Sequence, residues 1–268
     1  MFDWLSRSLF TLCILAPSFA QGQPTAQHPT PLLPLYDPVC DHMQTSVAPI
    51  AHALHHGQAG YFNRPIERHI HQIWLGDPYG MDKRKVDSWR EHAVKFGYTH
   101  TLWTEENLEA LKAMMPPQNA VIVEQLLQKR DYAGVSDVLR TFILELFGGI
   151  YADVDIKAPE YQGETIDIAT IVPMHNIVFM TEHHGRNVGN SVGLFVANGF
   201  MMSAAHHPLM KHLVETVATN VRSLNQRAQS GHPVDVCYLT GPFFVNRSLA
   251  GPITELPITF LEDLKMVD

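Results

Sequence analysis

The chain has 268 residues, of which 46% are hydrophobic and 17% are charged, and its formal net charge is -8. This composition is that of a globular protein long enough for one full-sized domain, and it argues against a disordered chain. The negative net charge and the lack of a lysine- and arginine-rich run argue against a nucleic-acid partner, because phosphates require a basic surface.

Residues 1–20 resemble a cleavable signal peptide. Arg7 precedes an apolar stretch that ends at Ala16, and Ser18 and Ala20 are the small residues that a signal peptidase reads. The apolar stretch is shorter than the roughly 20 residues of a membrane span. We therefore predict a secreted protein or one of a secretory-pathway lumen, and a secreted effector fits as well. The alternatives are an uncleaved anchor and a buried helix, and any membrane association would come through this segment alone.

Residues 21–60 are rich in proline and histidine. Prolines recur between Gln21 and Pro38, which predicts a linker or N-terminal extension rather than a packed element. Cys40 and Cys237 could pair in an oxidising compartment, but two isolated cysteines do not establish a disulfide.

Strands alternate with helices in the remaining segment, residues 61–268. This order favours an α/β domain with a mainly parallel sheet, in which the ligand lies at the carboxyl ends of the strands. We predict strands at residues 68–75, 98–103, 177–180 and 192–197, and helices at 83–96, from 104, at 120–129, from 137 and at 208–225.

The stretch from residue 136 to 155 carries most of the functional information. Its first part is a helical pattern that opens at Ser136 and ends at the glycine pair 148–149. Asp137 and Arg140 are three residues apart, so they share a helix face, and we predict that they lie in the first turn. The simpler interpretation of these two residues is a helix cap and a surface ion pair.

In residues 150–156, which follow, apolar residues alternate with Tyr151, Asp153 and Asp155. A period of two predicts a strand with one apolar face and one functional face, which would project both carboxylates the same way at the strand end. Convergent carboxylates are hard oxygen ligands that suit Mg²⁺ or Mn²⁺ carrying a diphosphate. Without the surrounding residues, a solvated strand end would explain the two aspartates equally well.

Five strings occur along the chain in a fixed order. They are His71–Trp74 (HQIW), Ser136–Arg140 (SDVLR), Gly148–Asp155 (GGIYADVD), Asn198 with His207-Pro208 downstream, and Thr240–Pro242 (TGP). Their combination resembles the DXD-containing sugar-nucleotide glycosyltransferases. This family includes yeast-type initiating mannosyltransferases, capsular polysaccharide synthesis enzymes and the glucosylating domains of large clostridial toxins. The similarity covers roughly residues 68–242.

The resemblance implies a single GT-A domain, which is Rossmann-like with a mixed, mainly parallel sheet. It implies a retaining transfer of a hexose-type sugar from a UDP- or GDP-sugar to a glycan or protein acceptor. Asp155, together with Asp153, would bind the metal, usually Mn²⁺ and otherwise Mg²⁺, that bridges the diphosphate. Such a metal stabilises the charge that develops on the leaving nucleoside diphosphate.

The same resemblance assigns the donor contacts. Trp74 would stack on the nucleotide base, although a core position explains this tryptophan nearly as well. Asp137 and Arg140 would hold the donor sugar hydroxyls, and Tyr151 and Asp153 would touch ribose or sugar. Asp137, Arg140 and Asp153 are the predicted catalytic residues.

Two further hypotheses stay open. Family members carry a C-terminal segment with a tryptophan that closes over the donor, whereas the last tryptophan here is Trp103. We therefore expect that the domain is truncated at its C-terminal end, that its donor lid is rebuilt, or that the protein is, as the alternative function, a catalytically weak or inactive sugar-nucleotide-binding module. The third hypothesis is a serine hydrolase, because residues 189–193 match G-x-S-x-G, although a loop precedes them and a strand follows, which is the wrong order for that motif.

Histidines are numerous, with 16 in the chain. His52, His55 and His56 could face one way on a helix, and His69 and His71 share a strand face. Both spacings can bind zinc, but histidines without a third convergent ligand more often serve packing or the surface.

Overall fold

The computed structural model describes residues 64–172, 174, 177–182, 195–228, 239–249 and 258–262. The predicted signal peptide, the linker, and both Cys40 and Cys237 lie outside these residues. No helix in the described ranges combines the length and the apolar character that a membrane span requires.

The elements alternate along the chain as the sequence predicts. The helices are α1 (Lys83–Phe96), α2 (Glu105–Met114), α3 (Pro117–Gln128), α4 (Tyr132–Phe147), α5 (Pro208–Ala228) and α6 (Pro242–Leu249). The strands are β1 (His69–Ile73), β2 (Thr99–Trp103), β3 (Gly149–Ala152), β4 (Glu160–Tyr161), β5 (Glu164–Thr165), β6 (Ile177–Glu182), β7 (Phe195–Ser203) and β8 (Ile258–Glu262).

A central sheet has the strand order β2-β1-β3-β7-β6-β8, and β4 and β5 pair separately. The pairs β1–β2, β1–β3 and β6–β8 are parallel, whereas β7 runs antiparallel to both of its neighbours. The predicted α/β class with a mixed, mainly parallel sheet is therefore confirmed.

Apolar side chains cover both faces of the sheet. On one face, residues of α2 to α6 pack around Ile73, Tyr151 and Phe179. On the other face, Ile150 packs with Trp89 of α1. Because β3 is central and covered on both sides, all four of its residues are buried.

The predicted strand over residues 150–156 is wrong in its extent. β3 ends at Ala152, and the chain turns at Val154 and Asp155. The prediction of one apolar face also fails, because Tyr151 belongs to one core cluster while Ile150 and Ala152 belong to the other. Apolar and polar residues still alternate after Ala152, but the backbone there is no longer a strand. The Asp153 N–H makes a last hydrogen bond, to the Gly199 carbonyl oxygen, and the chain then leaves the sheet.

The predicted start of the fourth helix is also wrong. α4 begins at Tyr132, and the side chain of Asp131 caps it by accepting a hydrogen bond from the Gly134 N–H at 2.9 Å. Asp137 and Arg140 consequently lie beyond the first turn, so the orphan N–H groups of the helix start are not beside them. Their shared helix face is retained.

Other local predictions hold. Thr104 caps α2 through a capping box in which Asn107 takes the place of the usual glutamate. At the end of α4 the chain enters β3 through Gly148 and Gly149, whose φ angles are +63° and +94°. A Cβ at Gly149 would lie 2.3 Å from the His69 carbonyl oxygen, so a side chain there would separate β3 from β1. The β4–β5 hairpin and β8 were not predicted.

Candidate active site

A buried cluster of charged side chains lies where α4 and β7 meet the end of β3, and we call Asp137, Arg140 and Asp153 the carboxylate cluster. Arg140 Nη2 lies 3.2 Å from Asp137 Oδ1 and 3.2 Å from Asp153 Oδ1. Arg140 Nη1 donates to the Asn198 carbonyl oxygen at 2.7 Å, and the guanidinium lies 4.8 Å from the centroid of the Tyr151 ring. One desolvated cation therefore joins two carboxylates and two strands.

Asp137 is held on both carboxylate oxygens. Its Oδ1 accepts from the Asn198 side-chain amide at 2.8 Å, and its Oδ2 accepts from the Thr240 hydroxyl at 3.0 Å. Asn198 lies on β7 and Thr240 lies just before α6, so Asp137 connects three elements that are distant in sequence. This many partners fix the orientation of the buried carboxylate.

Asp153 uses one oxygen inside the protein. Its Oδ1 accepts from the Tyr151 hydroxyl at 2.5 Å and pairs with Arg140. Its Oδ2 has no hydrogen-bond partner among the described residues, and it faces Gly199, where an added Cβ would lie 2.9 Å away. A third of the Asp153 side chain is exposed, so the cluster is open to solvent at this residue.

Asp155 has different surroundings. It is exposed, and within the described ranges its carboxylate accepts no hydrogen bond. The described residues hold only the main chain of Asp155, because Lys85 Nζ donates to the Asp155 carbonyl oxygen at 2.7 Å. The two aspartates thus lie beyond the same strand end, but they are not equivalent.

Trp74 lies apart from the carboxylate cluster. It follows β1 and is half-buried, and its indole N–H donates to the Asp77 carbonyl oxygen at 3.0 Å. A Cβ at Gly80 would lie 3.4 Å from the indole, so the loop after β1 folds against the ring. No described contact joins Trp74 to the carboxylate cluster, and its predicted stacking on a base stays a prediction.

Burial and charge act in opposite directions on the cluster. Burial raises the pKa of Asp137 and of Asp153, while the Arg140 guanidinium opposes that rise. Burial also raises the pKa of the Tyr151 hydroxyl well above its usual value, so Tyr151 acts as a hydrogen-bond donor. Two carboxylates share one guanidinium, and Asp155 adds a third carboxylate at the rim. The described site therefore has an excess of negative charge that favours a cation.

A bulge in β7 brings these groups together. Phe179 pairs with Met201, whereas the next residue of β6, Met180, pairs with Ala197, so residues 198–200 of β7 form no register pairs with β6. Within this bulge, Asn198 contacts Asp137 and Arg140, and the Gly199 carbonyl oxygen accepts the Asp153 N–H at 2.8 Å. Bulges commonly aim side chains at functional sites in this way.

The structure also tests the other sequence hypotheses where it can. His69 and His71 share a strand face, with ring centroids 3.9 Å apart. Among the described residues, no group of three histidine, cysteine, aspartate or glutamate side chains could hold a metal. His52, His55, His56 and the serine motif at 189–193 lie outside the described residues.

Sequence reasoning gave Asn198 and Thr240 no role, although it noted both as part of the resemblance. They lie 61 and 103 residues from Asp137, so no local periodicity could connect them to it. Gln72 was part of the HQIW string, and its amide donates to the Asp153 carbonyl oxygen at 3.4 Å. Gly199 gave no signal in the sequence.

Residues 81–166 match the family model described as the glycosyltransferase sugar-binding region containing a DXD motif. An uncharacterized glycosyltransferase of Acanthamoeba polyphaga mimivirus is 23% identical over 151 residues, which are 55% of this chain and 54% of the relative. The chain thus spans about half the length of the curated relative that it matches. These matches confirm the resemblance found in the sequence.

Solved structures support the fold. The UDP-bound glycosyltransferase domain of the YGT toxin is 10% identical with a TM-score of 0.51, over 74% of this chain and 80% of that domain. The PaToxG glycosyltransferase is 19% identical with a TM-score of 0.48, over 77% of each chain. The likeness to the YGT toxin domain confirms the predicted GT-A-type fold.

Proposed function

We propose that this protein, whose residues 81–166 match the model of the DXD-containing glycosyltransferase region, is a metal-dependent, retaining glycosyltransferase. It would move a hexose-type sugar from a UDP- or GDP-sugar to a glycan or protein acceptor. The single observation that supports the proposal is that Asp153 of the carboxylate cluster keeps a third of its side chain exposed and that it lies, like the exposed Asp155, just beyond the carboxyl end of β3. Ligands of open α/β sheets bind at such strand ends.

The residues present fit a hard divalent cation. Mg²⁺ and Mn²⁺ accept carboxylate oxygens, and such ions commonly take one or two protein carboxylates and complete their shell with phosphate oxygens and water. Asp153 Oδ2 and the Asp155 carboxylate would hold the ion. When bound, it would neutralise the charge that develops on the departing nucleoside diphosphate.

Arg140 and Asp137 have separate tasks in this proposal. Arg140 donates to Asn198, pairs with both aspartates, and its Nε donates to the Ser136 carbonyl oxygen at 3.3 Å. Because these contacts occupy most of its donors, Arg140 would orient the two carboxylates and keep them ionised. Asp137, whose carboxylate retains acceptor capacity beyond its present partners, would accept a hydroxyl of the donor sugar.

The proposal also covers stereochemistry and the acceptor. Retention follows from the family resemblance, and proton NMR of the first-formed product would decide it, since an inverted anomeric proton would contradict it. A glycan array and a whole-protein labelling assay with radioactive donor would distinguish a glycan acceptor from a protein acceptor.

We also propose that residues 1–20 direct the protein out of the cytoplasm. Nucleotide sugars are absent from a bacterial periplasm, so export would suit an effector that acts in another cell or an enzyme of a Golgi-type lumen. Fractionation of the native host separates these outcomes, and a purely cytoplasmic location of the full chain would contradict export.

A donor screen tests the activity. The full-length protein is incubated with Mn²⁺ and a panel of UDP- and GDP-sugars, and release of nucleoside diphosphate is measured. We expect release from one donor, falling by about a hundredfold or more in Asp155→Ala. Asp87→Ala is the matched control, because Asp87 is a half-exposed aspartate of α1 paired with Arg90, and its removal should leave release unchanged.

Each other outcome has a meaning. Nucleotide binding without release from any donor would favour the inactive binding module. The absence of both release and binding would contradict the proposed function. Release that persists in Asp155→Ala and in the presence of a chelator would contradict the metal dependence.

A further inference from the structure

Helix α1 holds the main chain that follows Asp153. Three of its side chains, on one face and within five residues, bind consecutive parts of this turn. The contacts are Lys85 Nζ to the Asp155 carbonyl oxygen at 2.7 Å, Trp89 Nε1 to the Ile156 carbonyl oxygen at 2.9 Å, and Ala158 N–H to Ser88 Oγ at 3.0 Å.

Such support is needed because the sheet does not provide it. β3 ends at Ala152, and the last main-chain bond to β7 is that of the Asp153 N–H. Trp89 and Ser88 are buried and anchor the turn on its downstream side. Lys85 is half-buried and is the contact that reaches the Asp155 peptide itself.

We infer that Lys85 is a positioning residue for Asp155, fixing the exposed aspartate where it can meet a metal-bound nucleoside diphosphate. The inference rests on the proposed function and deepens it. An ammonium-to-carbonyl bond is charge-assisted and restrains the peptide from which the Asp155 side chain projects. Without this bond the turn would have to be ordered at the moment of binding, which costs affinity.

The chain contains a matched control for this bond. Lys95 lies on the same helix, and its Nζ donates to the Thr165 carbonyl oxygen at 3.0 Å. The substitution Lys95→Met removes a lysine-to-carbonyl bond of the same kind, from the same helix to β5 rather than to the turn at Asp155. Any general effect of losing such a bond or a positive charge should therefore appear in both variants.

The test measures nucleotide binding by calorimetry, with UDP and GDP, first in Mn²⁺ and then with a chelator. In Mn²⁺ we expect Lys85→Met to bind about tenfold more weakly than the wild type, Lys95→Met to bind like the wild type, and Lys85→Arg to recover most of the loss. With the chelator, all four proteins should bind alike. In an Asp155→Ala background, Lys85→Met should have no further effect.

The outcomes distinguish the inference from the proposed function. If the wild type binds neither nucleotide, both fail. If the wild type binds in a Mn²⁺-dependent manner and Lys85→Met equals Lys95→Met, only the role of Lys85 is overturned. A loss in Lys85→Met that is the same with Mn²⁺ and chelator, or that persists in the Asp155→Ala background, would show a general structural role and also overturn the inference.

Discussion

In the described part of the chain, two polar clusters lie on neighbouring strands, and they meet the energetic cost of burying polar groups in opposite ways. The carboxylate cluster at the end of β3 keeps its charges and balances two carboxylates with Arg140. The histidine cluster, which we define as His69, His71 and Trp103, lies along β1 and β2 and stays neutral. Charged groups left partly open to solvent can bind a ligand, whereas a buried neutral group whose polar atoms are paired, such as His71, serves the fold.

His71 shows how a buried group of the histidine cluster stays uncharged. Its Nε2 bonds to the Gly148 carbonyl oxygen at 3.0 Å, and its Nδ1 accepts from the Trp103 indole N–H at 3.2 Å. These partners specify the neutral tautomer with the proton on Nε2. Burial, with His69 nearby, lowers the pKa of His71 to about 3. Both nitrogens are occupied, which argues against the zinc hypothesis for the pair His69 and His71.

Removing the shared cation should have the largest effect. We expect Arg140→Met to lower the free energy of unfolding by about 3–5 kcal/mol, because it leaves Asp137 and Asp153 buried without their counter-charge. Urea denaturation measures this, with Arg90→Met as the exposed control at about 0.5 kcal/mol or less. A change of similar size in both variants would mean that the cluster does not depend on Arg140.

Lowering the pH should destabilise the protein through the histidine cluster. The folded pKa of His71 is about 3 and the unfolded value is about 6.5, so between these values the unfolded chain binds more protons and stability falls as pH falls. From pH 7 to pH 5 this one histidine should cost about 2 kcal/mol. Urea denaturation at both pH values measures the loss, and His71→Gln should reduce it. An NMR titration that shows His71 protonating in the folded state near pH 6 would contradict the prediction.

Within the carboxylate cluster, the hydroxyl of Tyr151 should matter less than the guanidinium. Tyr151→Phe removes one of two partners of Asp153 Oδ1, so we expect a loss of about 1.5 kcal/mol in unfolding free energy. Nucleotide binding in Mn²⁺ should weaken as well, since the carboxylate is freer to rotate. Tyr161→Phe, at an exposed tyrosine, is the control, and equal behaviour of the two variants would show that the hydroxyl does not orient Asp153.

Asp155 should show the smallest effect on stability. Because its carboxylate is exposed, Asp155→Ala should change the unfolding free energy by about 0.5 kcal/mol or less while abolishing Mn²⁺-dependent nucleotide binding. Urea denaturation measures the unfolding free energy and calorimetry measures nucleotide binding, both on the same preparation. A stability loss as large as that of Tyr151→Phe would show that Asp155 belongs to the buried network after all.

The sequence predicted what is local. The periodicity of α1, the strand at β1 and the cap at Thr104 depend on residues a few positions apart, and the structure has all three. The end of β3 could not be predicted, because the alternation continues past the point where the chain turns. Nor could the partners of Asp137, because Asn198 and Thr240 reach it only through the path of β7 and the start of α6. The family resemblance identified the candidate residues. Only the tertiary contacts showed that Asp153 is paired and partly buried whereas Asp155 is exposed.

Residues 198–200 of β7, which have no register partners in β6, matter for any redesign of this protein. Deleting residues 198–200 would let β7 pair with β6 in one continuous register, which is the regular geometry that design methods prefer. The same deletion would remove the Asn198 amide and the Gly199 carbonyl, and with them the contacts of β7 with Asp137 and with the Asp153 N–H. A more regular sheet would therefore lose contacts that hold the candidate site, so the irregularity at this position is a feature to keep.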